Sequence, residues 1–332
     1  MKTDVCLTFD VEFTIGGAFS DPANKQPVGE QSVFCEVDGK SHGLGFILDT
    51  LSKHRLTATF FVEALNVHYF GDSPMSGIAK TILAAGHDVQ LHLHPCWRHF
   101  HRADWQAQLS STPPNDSMAG RSADDTREII KEGIETFIRW GIFNPIAVRT
   151  GGLQVDKTVY HVMQELRVPL ASNIGVAIAP PVDNDIHFFA GRHSIAGVLE
   201  APVLSYCDLS LRQKKHLKSL TITGSSWAEM RHLLNDAGRK SISPVVILSH
   251  PSEFVKHTDV QYTQLTPNRL NQSRFEKLCL YLNQNRERFN VLTFTEGYSC
   301  WKAQPKNHQK LLSVPTWMAI GRMLENKFND TF

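Results

Sequence analysis

Two carboxylates, Asp10 and Glu12, stand two residues apart at the end of an apolar run at residues 5–9. Residues i and i+2 of a β-strand point to the same face, so both side chains are expected to emerge side by side. Carboxylates held that close repel each other unless a cation or a hydrogen-bonding partner lies between them. A solvated strand end would explain the pair equally well. The pair therefore indicates a site only if other reactive side chains converge on it.

Two histidines supply the next part of the pattern. His92 and His94 end a predicted strand at residues 88–94 and share one of its faces. Imidazoles at this spacing can bind one metal ion, and a carboxylate can complete the site while leaving positions open for water and substrate. A histidine pair alone is a weak signal, since short motifs predict metal sites loosely. Combined with Asp10 and Glu12, the pair favours a metal site.

Arg149 and His250 follow two further predicted strands. A histidine after a buried strand can cap the strand, or it can act as a general acid with a pKa near neutrality. The guanidinium of Arg149 offers a rigid fork of donors that could orient a carboxylate or form a structural ion pair. Both alternatives stay open for each residue when it is taken alone.

Predicted strands alternate with predicted helices along most of the chain. The predicted strands lie at 5–9, 57–62, 88–94, 146–148, 198–203, 244–249 and 291–295, with one more that ends at 171–173. The predicted helices lie at 44–51, 78–85, 125–140, 157–166, 227–237, 273–288 and 314–324. This alternation predicts a parallel sheet covered by helices. In such barrels the carboxyl ends of the strands meet at one site, so the four polar strand ends should converge.

Composition limits the classes of function. The chain has 332 residues, 42% of them hydrophobic and 20% charged, and a formal net charge of +1. That balance gives no broad electrostatic signature for binding to nucleic acid or to an anionic membrane. Six scattered cysteines without a CxxC pair indicate reduced thiols. Because neither a signal peptide nor a membrane-spanning segment is recognisable, we expect a cytoplasmic protein without a membrane span.

Five short motifs, in this order, resemble the polysaccharide deacetylase (NodB-homology) family. They are TFDVE at 8–12, ILDTL at 47–51 leading to ATFFV at 58–62, GHD at 86–88 before His92, RTGG at 149–152, and LSH at 248–250. The resemblance covers about residues 4–298 and implies a distorted (β/α) barrel. It also implies metal-assisted hydrolysis of an N-acyl or O-acyl group on a sugar.

The resemblance further implies a role for each matching residue. Asp10 corresponds to the catalytic base, and Arg149 to the arginine that positions this base. His250 corresponds to the late histidine that acts as an acid toward the leaving group. Glu12 would bind the metal, although it stands one place later than the usual second aspartate, and His92 matches the first metal-binding histidine.

One position departs from the family pattern. The second metal-binding histidine normally follows four residues after the first, where this chain has Cys96. Either His94 or a Cys96 thiolate could replace it, or the metal and the activity could be lost. We prefer His94, because Pro95 redirects the chain and a thiolate would reduce the Lewis acidity that a hydrolase requires.

The resulting hypothesis is a metal-dependent carbohydrate deacetylase. A divalent metal bound by Glu12, His92 and His94, expected to be zinc with cobalt or nickel as alternatives, would polarise an acyl carbonyl and bind water. Asp10 would remove the proton of that water and His250 would protonate the departing amine. The expected substrate is an acetylated or formylated amino sugar, as a nucleotide-linked or lipid-linked intermediate of surface polysaccharide biosynthesis.

Two other functions remain open on the same residues. One is hydrolysis of a small non-sugar amide, and the other is binding of sugars by a metal-free protein that lost its activity. The expected organisation is a barrel at 1–300 with loop insertions at about 13–43 and 95–124, followed by a helical appendage at 301–332. The sequence does not determine the oligomeric state.

Overall fold

A curled sheet of mainly parallel strands forms the centre of the protein. The computed structural model describes residues 2–211, 214–303 and 310–331. The strands are β1 (Thr3–Val11), β2 (Glu36–Val37), β3 (Lys40–Ser41), β4 (Thr59–Glu63), β5 (Asp88–Leu93), β6 (Ala147–Thr150), β7 (Leu170–Ala171), β8 (His193–Ile195), β9 (Val198–Glu200), β10 (Ser205–Leu211), β11 (Lys214–Ser219), β12 (Val245–Ser249), β13 (Val255–His257), β14 (Leu265–Pro267), β15 (Phe289–Val291) and β16 (Leu312–Ser313).

Helices cover the outer face of this sheet. They are α1 (Gln31–Phe34), α2 (Leu44–His54), α3 (Val67–Phe70), α4 (Ser73–Ala84), α5 (Trp105–Gln108), α6 (Ala123–Arg139), α7 (Lys157–Glu165), α8 (Trp227–Arg239), α9 (Arg269–Gln284), α10 (Phe294–Trp301) and α11 (Thr316–Thr331). Several begin at a side-chain cap that their sequence supplies. Ser122, for example, accepts a hydrogen bond from the backbone amide of Asp125 at the start of α6.

The order of strands in the sheet is β12-β1-β4-β5-β6-β7-β9-β8, and β15 pairs with the first residues of β1. Neighbouring strands run parallel from β12 to β9, whereas β8 is antiparallel to β9. Beyond β12, isolated bridges join Val203 to Val246 and Thr221 to Leu248. The sheet therefore curls into an incomplete barrel, and the predicted distorted (β/α) barrel is confirmed.

The alternation of β1 decides which side chains reach the barrel interior. Leu7, Phe9 and Val11 pack into the large core between the sheet and the helices. Cys6 belongs to the separate apolar cluster inside the barrel. Residues of the same parity as Cys6 face the interior, so Asp10 is directed there at the carboxyl end of the strand.

One predicted strand is wrong, and several short elements were not predicted. The chain at 291–295 is not the last strand, because β15 ends at Val291 and α10 starts at Phe294. Thr293 and Glu296 form a capping box there, which stabilises a helix start. The antiparallel hairpin of β10 and β11 is one of them, because the sequence between the two strands has no glycine, proline, asparagine or aspartate to mark a turn.

The two predicted insertions pack against each other beside the barrel. Phe19 stacks on Phe100 with ring centroids 5.0 Å apart, and Gln106 donates a hydrogen bond to the carbonyl of Pro22 over 3.0 Å. The second insertion contains a 3₁₀ helix at Pro95–His101 and the short α5. The division of the chain at residue 300 stays a prediction.

The C-terminal segment joins the barrel through the hairpin. β16 pairs in parallel with β10, and Arg322 of α11 is buried in ion pairs with Asp208 and Glu229. All six cysteines are free thiols, and Cys300 alone among them is exposed. Within the described ranges, every helix is too short or too polar to cross a lipid bilayer.

Close packing of α6 on β5 yields a stability prediction. A Cβ at Gly133 would lie 2.7 Å from Leu93 Cδ2 and 3.0 Å from Leu91 Cδ1. Gly133→Val should therefore lower the free energy of unfolding by about 1–3 kcal/mol, because the buried interface has no space for the added groups. Gly77→Val is the matched control on α4, where a Cβ meets nothing within 4 Å. Chemical denaturation that finds equal effects at both glycines would contradict this packing.

Candidate metal centre

Three side chains from the ends of β1 and β5 converge on one point. Glu12 Oε2 lies 3.2 Å from His92 Nε2 and 2.7 Å from His94 Nε2. The two imidazole rings are nearly perpendicular, at 82°, with centroids 4.8 Å apart. One carboxylate oxygen and two ring nitrogens therefore form a compact group that could hold a metal ion.

Hydrogen bonds on the far side of each ring determine which nitrogen faces Glu12. His92 Nδ1 lies 2.8 Å from the carbonyl oxygen of Arg149, which only accepts, so Nδ1 carries the proton. His94 Nδ1 lies 2.6 Å from Asp116 Oδ2 and donates in the same way. Nε2 of each ring therefore faces the carboxylate oxygen of Glu12. A proton or a metal ion can occupy the space between these atoms, and the three residues fit a divalent metal.

The electrostatics of the group point to the same conclusion. Burial opposes the charged form of His94, but the carboxylates of Glu12 and Asp116 outweigh burial and raise its pKa well above the usual value. Burial likewise opposes the charged form of Glu12, yet the neighbouring imidazoles of His94 and His92 hold its pKa well below the usual value. This point in the structure therefore stabilises positive charge, as a metal site requires.

Arg149 fixes the orientation of Asp10. Its Nη1 donates to Asp10 Oδ1 over 2.6 Å and to Thr8 Oγ1 over 3.0 Å. Its other donors reach Ser172, with Nε bonded to the carbonyl over 3.1 Å and Nη2 bonded to Oγ over 2.8 Å. The guanidinium also stacks 4.0 Å from the ring centroid of Phe61. The arginine is fully buried, so Asp10 is held by a rigid partner.

The second oxygen of Asp10 faces the two remaining site residues. Asp10 Oδ2 lies 3.9 Å from His92 Nε2 and 3.9 Å from His250 Nε2. On its other side, His250 Nδ1 lies 2.9 Å from Glu253 Oε1, while Ser249 donates to Glu253 Oε2 over 2.7 Å. The structure thus brings together all six side chains that the sequence predicted for the site.

His250 is poised to carry a proton. Its partial burial disfavours the imidazolium, but the hydrogen bond and charge of Glu253, and then the carboxylates of Glu12 and Asp10, raise the pKa of His250 to about 9. Because Nδ1 is directed at Glu253, the second proton lies at Nε2, on the side of Asp10. A protonated imidazole so placed can act as a general acid.

Cys96 lies outside the group formed by Glu12 and His92. It clusters instead with His94 and Asp116, and its backbone amide donates to Asp116 Oδ1 over 3.2 Å. Burial, followed by the charge of Asp116, raises the pKa of the Cys96 thiol far above its usual value. A neutral thiol is a poor metal ligand. This geometry favours His94 as the third ligand, and the assignment stays a proposal.

Three site residues were not predicted. Asp116 lies in the second insertion, which has no periodicity that could have placed it next to His94. Glu63 ends β4 and accepts hydrogen bonds from the backbone amides of Leu65 and His94 over 2.8 and 3.3 Å. Glu253 could have been found, because its spacing of three residues from His250 is visible in the sequence.

Gly151 provides space for the ring of His94. A Cβ at this position would lie 2.5 Å from His94 Nδ1 and 2.6 Å from its Cε1. Gly151 therefore lets the imidazole lie directly against the backbone, where it meets both Glu12 and Asp116.

Comparison with solved structures identifies the class of fold. The crystal structure of the "putative polysaccharide deacetylase" from Mycobacterium smegmatis aligns with 95% of this chain and 95% of its own chain, at a TM-score of 0.53 and 16% sequence identity. The chain therefore has the curled (β/α) half-barrel fold of the polysaccharide deacetylases, and the family resemblance predicted from the motifs is confirmed at the level of the fold. No protein-family model and no curated protein sequence matches the chain.

Two other solved structures give weaker alignments. A family 4 acetyl xylan esterase from Clostridium thermocellum, in complex with a cobalt ion, aligns at a TM-score of 0.43 and 14% identity, over 90% of this chain and 92% of its own. The Bc1960 peptidoglycan N-acetylglucosamine deacetylase aligns at 0.44 and 15% identity, over 92% and 91%. These scores are too low to support an argument about function.

The hydrogen bond from His94 to Asp116 leads to a prediction about metal affinity. Asp116→Asn should weaken zinc binding roughly 10–100-fold, as expected for loss of a carboxylate that orients a metal-binding histidine. Competition titration with a chromophoric chelator measures the affinity directly. Asp104→Asn is the matched control, since Asp104 lies in the same insertion and bonds to Arg102 and Gln108. Equal affinities for the two variants would show that Asp116 does not support the site.

Proposed function

We propose that this protein is a metal-dependent hydrolase that removes an acetyl or formyl group from an amino sugar. The observation that carries this proposal is the placement of Asp10. One oxygen of Asp10 is held by Arg149, and the other faces both His92 and His250 at 3.9 Å. A base and an acid therefore stand beside a three-residue group that could bind a metal, and this arrangement is suited to amide hydrolysis.

The residues divide the chemistry between them. A divalent metal bound by Glu12, His92 and His94 would supply Lewis acidity toward the acyl carbonyl and toward a water molecule. Asp10 Oδ2 accepts the proton of the attacking water, while the buried guanidinium of Arg149 keeps the carboxylate in place. His250 Nε2 delivers a proton to the departing nitrogen, and Glu253 stabilises its protonated form.

The donor set supports a particular choice of metal. Two imidazole nitrogens and one carboxylate oxygen suit zinc, with cobalt and nickel as alternatives, and leave positions for water and substrate. Calcium and magnesium prefer sites made only of oxygen. We therefore propose zinc as the resident ion.

The proposed substrate is a nucleotide-linked or lipid-linked amino sugar of surface polysaccharide biosynthesis, handled in the cytoplasm. The deacetylase fold and the sequence motifs support an acylated sugar. Two alternatives predict different results: a small-amide hydrolase would bind metal but leave acylated sugars intact, and a sugar-binding protein would bind no metal. Two measurements distinguish these three functions: metal analysis of the purified protein, and acyl release from a panel of acetylated and formylated sugar nucleotides.

Replacement of the proposed base tests the mechanism. Asp10→Asn should reduce kcat for acyl release by roughly 10²–10⁴-fold, because an amide cannot accept the proton of water. The metal content measured by plasma mass spectrometry should stay at one ion per chain. Asp49→Asn, a change at an exposed position on α2, is the control and should leave both quantities unchanged. Normal turnover by Asp10→Asn would refute the role of Asp10.

The pH dependence tests the proposed acid. His250 must be protonated to act, so the rate should fall as pH rises through its pKa of about 9. Glu253 raises that pKa. Glu253→Gln should therefore move the alkaline limb of the kcat/KM profile to lower pH and leave the acid limb in place. The exposed Glu287→Gln serves as control. An alkaline limb that does not move in Glu253→Gln would separate His250 from the proton transfer.

A further inference from the structure

Glu63 is a fully buried carboxylate that the proposed reaction does not use. It is the last residue of β4, which lies between β1 and β5 in the sheet, and it pairs with His92 in the register of β4 and β5. Phe61 belongs to the apolar cluster inside the barrel, so strand alternation directs Glu63 to the interior as well. A carboxylate in this place needs donors close to it, because burial of an unpaired charge is costly.

Four N–H groups bond to the two oxygens of Glu63. Oε1 accepts from the backbone amides of Leu65 over 2.8 Å and His94 over 3.3 Å. Oε2 accepts from the backbone amide of Asn66 over 2.7 Å and from its side-chain Nδ2 over 2.8 Å. Three of these donors belong to the turn directly after β4, so they hold the carboxylate in place. The fourth bond reaches across to His94, one of the proposed metal ligands.

The bond from His94 to Glu63 extends the connection between two strands. β5 ends at Leu93, and the amide of Ala64 donates to the carbonyl of His92 over 3.2 Å at this end of the pair. The backbone polar groups of residues i and i+2 point to the same side of a strand, so the amide of His94 also faces β4. It bonds there to the side chain of Glu63, which takes the place of a strand carbonyl.

We infer that Glu63 is a positioning residue that fixes the backbone of His94, so that the imidazole is held against Glu12 as the third metal ligand. This role rests on the proposed function, because His94 is a ligand only if the site binds metal. Asp116 restrains the outer side of the His94 ring, and Gly151 leaves space for it. Glu63 restrains the main chain from which the ring extends.

The unusual spacing of His92 and His94 explains why such a restraint is needed. His94 is the last residue before Pro95, and proline holds the preceding residue in an extended conformation, here with φ −112° and ψ 94°. Pro95 also has no backbone N–H and cannot continue a β-ladder. The chain on the carboxyl side therefore does not fix His94, and the carboxylate of Glu63 does so from the neighbouring strand.

Glu63→Gln tests this role in two measurements. The side chain of glutamine offers one accepting oxygen and one donating nitrogen, so some of the four N–H groups would face a donor. In the metal-free protein, exchange of the His94 amide with deuterium, followed by NMR, should become roughly tenfold faster or more, while the amides within β5 keep their rates. Competition titration with a chromophoric chelator should show zinc binding weakened roughly 10–100-fold.

A second variant separates position from charge, and a control separates position from stability. Glu63→Asp keeps the negative charge but is one methylene shorter, so it cannot reach both the turn and His94, and its zinc binding should also weaken. Glu229→Gln is the matched control, since Glu229 is fully buried and accepts from the backbone amide of Ser226 over 2.7 Å at the start of α8. This control should lower the free energy of unfolding and keep the native zinc affinity and His94 exchange rate.

The possible failures are distinguishable. Native zinc affinity in Glu63→Gln or in Glu63→Asp would overturn the positioning role and leave the proposed hydrolase standing. An equal loss of affinity in Glu229→Gln would overturn it too, because the affinity would then follow global stability. A native chain that binds no zinc would refute the proposed metal centre and the role of Glu63 together. If Glu63→Gln does not fold, the conservative Glu63→Asp decides the question.

Discussion

Arg149 carries a positive charge into the barrel interior, where only close partners can compensate for the loss of water. Its side chain is fully buried and reaches from β6 to Asp10 and Thr8 on β1 and to Ser172 next to β7. Breaking such a buried pair by removing one partner typically costs about 3–5 kcal/mol. The interaction therefore does two things at once. It ties β1, β6 and the end of β7 together, and it determines which oxygen of Asp10 remains directed at the histidines.

The metal-binding group depends on this arrangement through backbone as well as side chains. The carbonyl of Arg149 accepts the hydrogen bond that orients His92, and Gly151, two residues later, leaves space for the ring of His94. A single strand end thus positions the proposed base and both imidazoles. The carboxylates of Asp116 and Glu253 then act on the outer sides of His94 and His250. Each reactive group has a partner that holds its orientation.

Local periodicity in the sequence explains how much of the fold and of the candidate site could be predicted. Strand alternation predicted that Asp10 and Glu12 share one face of their strand, and likewise His92 and His94, and the parallel arrangement predicted that the strand ends converge. Asp116 could not be predicted, because it reaches His94 from an irregular insertion. The prediction of a strand at residues 291–295 was wrong, because the capping box of Thr293 and Glu296 starts a helix there and outweighs the β-propensity of the segment.

The central claim is that Glu12, His92 and His94 bind one metal ion. X-ray absorption spectroscopy on the zinc-loaded protein tests it most directly, since nitrogen and oxygen ligands lie at about 2.0–2.2 Å and sulfur at about 2.3 Å. The account predicts a shell of nitrogen and oxygen only, with the signature of two imidazoles. A sulfur scatterer in the zinc shell would place Cys96 on the metal and contradict the assignment of His94.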